Sequence, residues 1–115
     1  MKIKSKVANI KIVSGTNKDS KTIHIEKGTV LKCALFVNGS LPSEIVNVKI
    51  EDASTGDELH PFITYHEYQP TNGNHFDSRK DMHFDGNRDV KITTQAMGDL
   101  AADFNFQMIF YYNKA

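Results

Sequence analysis

The sequence predicts an all-β protein: an antiparallel β-sandwich of about eight strands, jelly-roll-like in arrangement. Two observations lead there. Apolar residues recur two apart in short runs, most cleanly in FNFQMIFYY, residues 104 to 112, where Phe104, Phe106, Met108, Phe110 and Tyr112 share one face of an extended chain. Clusters of Gly, Asn, Asp, Ser and Pro separate these runs, and nowhere does a helical period persist long enough for a helix of ordinary length.

The elements follow in order. VANIKIVS, from Val7, reads as a strand with Ile10 and Ile12 together, and GTNKDS is a turn. KTIHIE turns Ile23 and Ile25 inward. Lys27-Gly28 then reads as a tight reversal into TVLKCALFVN, predicting a β-hairpin with Leu31, Cys33, Leu35 and Val37 on one face. GSLP breaks the chain before EIVNVKIED, whose Val46, Val48 and Ile50 point inward. ASTGDE is an acidic turn. Pro61 marks the entry to a ring-rich strand, FITYHEYQ, and the three prolines are expected outside strand interiors. A long polar segment follows, with turn signals at Asn72-Gly73 and Asp85-Gly86 and a short strand at MHF between them. VKITTQAM resumes the alternation, GDLAAD suggests one helical turn crossing between sheets, and FNFQMIFYY closes the fold. The expected core comprises Ile23, Ile25, Leu35, Val46, Val48, Ile50, Ile92, Phe104, Phe106 and Phe110.

A length of 115 residues favours one domain spanning 1–115 and suffices to bury a core without staples. The lone cysteine, Cys33, excludes an internal disulfide framework and reads as a buried small hydrophobe. No apolar signal-peptide core opens the chain, and no apolar run approaches the ~20 residues of a membrane span, so a cytoplasmic protein, or one made in a cytoplasm and used elsewhere, is expected. Fourteen basic and fourteen acidic residues give zero formal net charge, unlike a dedicated nucleic-acid binder. The basic residues are uneven: Lys2, Lys4, Lys6, Lys11 and Lys18 precede the first acid. They fit the exposed edge of a first strand, where lysine discourages pairing with other chains. A contact with nucleic acid is the alternative for this segment.

No catalytic constellation emerges, so no enzyme activity and no cofactor are expected. There is no G-x-S-x-G, no phosphate loop and no spacing that selects a triad. His60 and His66 would stand ~20 Å apart on one strand, and His75 and His83 lack metal-ligand spacing. Asp85, Asn87 and Asp89 alternate around Gly86, but the rest of a calcium loop is missing and a solvated turn is the simpler reading. No metal site is therefore expected. The stretch from residue 65 to 89 gathers Tyr65, His66, Tyr68, His75, Phe76, His83 and Asp85. Aromatic faces beside planar polar groups suit a carbohydrate or receptor contact, and long loops are commonly functional; the alternative is a loop that folds over its own sheet and buries the rings.

At the C-terminal third, FDGNRDVKITTQAMGDLAADFNFQMIFYYNK resembles the closing strands of small β-sandwich structural proteins of bacteriophage virions. A glycine turn opens into the alternation of Val90, Ile92 and Thr94; a small-residue crossover, MGDLAAD, follows; an aromatic strand runs almost to the terminus. The resemblance implies a capsid-associated or spike-type subunit, repeated by symmetry, assembled in a host cytoplasm and located in the virion. It assigns no residue a role. Partners would then be copies of the chain or other virion subunits; the alternative is a carbohydrate- or receptor-binding module using residues 65–89. Ile109 and Tyr111 make the second face of the last strand apolar as well. A strand central in its sheet with two apolar faces predicts a subunit interface at these two residues, with a local loop, PTNGNHF being the nearest in composition, as the rival cover.

Overall fold

A computed structural model describes residues 3–70 and 79–114. Eight strands and one short 3-10 helix form in this order: β1 Ile3–Ile12, β2 Lys18–Ile25, β3 Gly28–Asn38, β4 Val46–Asp52, β5 Glu58–Thr64, the 3-10 turn Tyr65–Tyr68, β6 Lys80–Asp85, β7 Arg88–Ala96 and β8 Phe104–Lys114. They build two four-stranded antiparallel sheets, β1-β8-β3-β6 and β2-β7-β4-β5. The chain changes sheet at every connection except β4 to β5. This is jelly-roll strand order.

Alternation decides which side chains enter the space between the sheets. Along β8, Phe104, Phe106, Met108, Phe110 and Tyr112 are all buried. Their register partners on β1 are Ile12, Ile10, Ala8, Lys6 and Lys4. All ten expected core residues are buried, and they belong to one continuous apolar cluster. Edge-on ring contacts pin the aromatic part: Tyr65 against Phe104 at 5.3 Å and Phe84 against Phe110 at 6.3 Å between centroids. As expected, β8 is central, bonded to β1 on one side and β3 on the other, and the lysine-rich segment runs along the sheet edge. Cys33 is fully buried, and desolvation pushes its thiol up to about 12, so it behaves as a small hydrophobe.

Five expectations are corrected. The hairpin at Lys27-Gly28 does not form, because β2 and β3 lie in different sheets. Glu26-Lys27 is instead a corner, laced to the β6–β7 corner by backbone bonds from Gly86 N–H to the Gly28 carbonyl (2.7 Å) and Asn87 N–H to the Glu26 carbonyl (3.0 Å). A β-carbon at Gly86 would overlap the Glu26 carbonyl, so this close approach requires glycine. Leu31 leaves the shared face of β3: a bulge between Val30 and Lys32 advances the register, and Val30 takes the core position. Pro61 lies inside β5 rather than at its entry, tolerated because β5 is an edge strand with irregular pairing beside it. The ring-rich segment after it coils into the 3-10 turn, with Thr64 Oγ1 accepting from His66 N–H. Finally, GDLAAD crosses between sheets without a helical turn, its Leu100 plugged into the core. The predicted turn at Asn72-Gly73 lies outside the described residues.

Candidate functional site

The jelly roll leaves two outward sheet faces. On the β1-β8-β3-β6 sheet, the odd-numbered residues of β8 point out. Ile109 pairs with Val7 of β1 and Ala34 of β3, while Tyr111 pairs with Ser5 and Lys32. The result is an apolar patch at the middle of the sheet. Val7 is 43% exposed, Ile109 and Tyr111 are half-buried, and Ala34 is covered. Tyr111 is the most engaged of these. The Arg79 guanidinium stands 5.2 Å from its ring centre, and Arg79 Nε donates to the phenol oxygen at 3.0 Å. Beside it, the Lys32 ammonium, itself largely covered, binds the exposed Asp81 carboxylate at 2.5 Å. The lower part of this face is amide-rich, with Gln107 donating to Asn9 at 2.9 Å.

The residues expected to form a ligand surface are not brought together. Tyr65 and Tyr68 are buried, which corrects their assignment to an exposed contact: the 3-10 turn folds both rings over the open end of the core. The Tyr68 hydroxyl sits 3.3 Å from the Val48 carbonyl and 2.8 Å from His60 Nδ1. With its proton donated to that carbonyl, the histidine contact calls for an Nδ1–H. Burial is the main cause that raises both phenols above their ordinary titration range. His66 stays exposed and bonds Gln69 through Nδ1 at 2.9 Å. His83 and Asp85 point outward from β6, on another element. His75 and Phe76 lie outside the described residues. Among the described residues, no three His, Cys, Asp or Glu side chains gather as metal ligands would. None of the described helices is long and apolar enough to cross a membrane.

The opposite sheet, β2-β7-β4-β5, presents polar side chains outward. His24 meets Asp89 at 2.9 Å, and Lys49 stands 3.8 Å from Glu51. Ser20 and Thr22 of β2 face out in register with Thr93 and Lys91 of β7. Phe62, on β5, is the exception, and the sequence reading passed over it. Its signal was present: a lone phenylalanine next to the inward Ile63 must point outward if the strand is half-buried.

Comparison of the fold with solved structures finds relatives of the same shape at low identity. A chain of the capsid asymmetric unit of cyanophage Pam1 is 16% identical, with a TM-score of 0.53 over 98% of this chain and 85% of that one. A chain of the acid-stable capsid of Helicobacter pylori bacteriophage KHP30 is 11% identical, with a TM-score of 0.47 over 96% and 89%. The periplasmic inhibitor of g-type lysozyme from Aeromonas hydrophila is 12% identical, with a TM-score of 0.46 over 92% and 83%. At these identities the likeness is one of fold. No protein-family model and no curated protein matches the sequence.

Proposed function

We infer that the chain is a non-enzymatic structural subunit of a virion, assembled in the host cytoplasm, that docks through the outward face of its β1-β8-β3-β6 sheet. The partner is another copy or a neighbouring virion subunit. One observation carries this reading: at mid-sheet the central strands are apolar on both sides, and Ile109 and Tyr111, with Val7 of the neighbouring edge strand, are still partly open to solvent. A sheet that needs only one packed face alternates apolar with polar. The fold shared with the cyanophage capsid chain supports the setting. The alternative, recognition through residues 65–89, is left with His66, His83 and Asp85 as the exposed members of its expected site among the described residues.

The test is solution mass by light scattering across concentration, for the wild type and for Ile109→Ser/Tyr111→Ser. The expected wild type is a defined oligomer. The variant is expected to be monomeric while its β signal in circular dichroism persists. Burying the two side chains would contribute ~3–6 kcal/mol before ordering costs. A wild type that stays monomeric at high concentration, or a variant that unfolds, removes the main support for assembly through this face.

A further inference from the structure

The second outward face holds a cleft of about 410 Å³, lined by Asn17, Asn47, Phe62, Gln95, Ala96 and Met97. Strand pairing creates it. Asn47 of β4 stands between Gln95 of β7 and Thr64 of β5, so carboxamides from neighbouring strands meet beside the ring of Phe62. Asn17 is drawn in because its carbonyl accepts from Ala96 N–H at 2.7 Å. Phe62 is 45% exposed and Met97 70% exposed, beside a face otherwise built mainly from polar and charged side chains. The Lys49 ammonium, 5.6 Å from the ring centre, holds the phenyl on the sheet.

We propose that this cleft binds a neutral saccharide. A pyranose ring offers two chemistries at once: an apolar face of C–H groups and a rim of hydroxyls that both donate and accept. The cleft matches them, with one phenyl and one thioether as an apolar floor and three carboxamides, each a donor and an acceptor, around it. The six lining residues carry no charge, and the ammonium beside them, that of Lys49, is already engaged by the Phe62 ring and by Glu51. Its volume falls within the ~300–1,000 Å³ of small-ligand sites. The cleft lies on the sheet opposite the proposed assembly face, so docking through that face alone does not cover it.

The experiment is an NMR titration of the isotope-labelled full chain with glucose, galactose, mannose and N-acetylglucosamine. At least one sugar is expected to give saturable shifts at the amides of Asn47 and residues 95–97, with an affinity on the order of millimolar. Phe62→Ala should weaken that binding at least about tenfold, and Phe62→Tyr should retain it. Gln95→Ala should weaken it without moving the melting temperature, because Gln95 is exposed. Absence of saturable shifts with all four sugars overturns the proposal. So do shifts centred elsewhere, or binding that survives Phe62→Ala. The variant Ile109→Ser/Tyr111→Ser should bind sugar as the wild type does, so failure of the assembly reading and failure of this one give different results.

Discussion

On the outward side of one sheet, the central strands β8 and β3 present Ile109, Tyr111 and Ala34. On the outward side of the other, the equivalent pair β7 and β4 presents Lys91, Thr93, Lys49 and Glu51. Both pairs are flanked by edge strands, and both bury an unbroken row of side chains on their inner side. Only the outer rows differ. β7 and β4 show the alternation of strands covered on one face, and they need nothing further. Around Ile109, Tyr111 and Ala34, β8 and β3 resemble strands covered on both faces, a pattern that belongs to sheets with a second layer. Part of that layer is internal, since Arg79 reaches over Tyr111. Val7 and Ile109 keep apolar surface open. The comparison therefore supports the proposed assembly through one face, and it distinguishes that face from the other, with its single phenyl ring, where the proposed sugar cleft lies.

The largest effect should come from the inner row that both faces depend on. Phe106→Ala is expected to lose ~3–5 kcal/mol in a denaturant titration. A loss below ~1 kcal/mol would place Phe106 outside the core and invalidate the inward–outward assignment for β8. Next comes the contrast itself. Ile109→Ser/Tyr111→Ser should change the oligomeric mass, whereas Thr22→Ser/Thr93→Ser on the polar face should leave it unchanged. Equal effects from the two pairs would abolish the distinction between the faces.

Acid probes the corners that hold the sheets in place. Asp52 Oδ1 accepts from Thr55 N–H at 3.0 Å and Ser54 N–H at 2.8 Å, and these bonds hold its carboxyl below the usual range. Asp103 is lowered first by Ser14 N–H, at 2.7 Å, and then by Lys11. A carboxyl with a lowered folded-state pKa contributes stability above its unfolded value of ~3.9, and that contribution is lost as pH falls through the folded value. Thermal stability should therefore drop below about pH 4. Asp103→Asn should lower the melting temperature at neutral pH and flatten the drop; an unchanged acid profile would show that this corner does not contribute. The smallest effect is expected at Thr94, whose buried Oγ1 has no hydrogen-bond partner among the described residues. Thr94→Val should be neutral or stabilising by up to ~1 kcal/mol, since it removes a desolvated hydroxyl of similar shape. Clear destabilisation would mean that the hydroxyl is bonded after all.

How much of the sites was legible differs between the faces. The outward pair Ile109 and Tyr111 follows from counting along one strand, because alternation is a property of the local chain. The cleft around Phe62 could not be counted out. Asn17, Asn47, Phe62 and Gln95 are scattered over most of the sequence, and only the pairing of β4 with both β5 and β7 assembles them. Tyr65 and Tyr68 failed in the opposite sense. Their composition suggested an exposed contact, but a turn of 3-10 helix after Thr64 rotates both rings inward, and ring content says nothing about that rotation.

The sequence by itself determined the all-β class and the inner row of side chains. Both depend on a period of two within single strands, and burying that row is the main favourable term in folding. Tertiary structure alone decided which strands became neighbours. Ile10 lies beside Phe106 and Val48 beside Thr94, contacts that no local pattern encodes. It also decided that Lys27-Gly28 is a corner and not a hairpin. The same turn residues serve both geometries, and the choice falls to the partner awaiting each strand: β7 for β2, and β8 for β3.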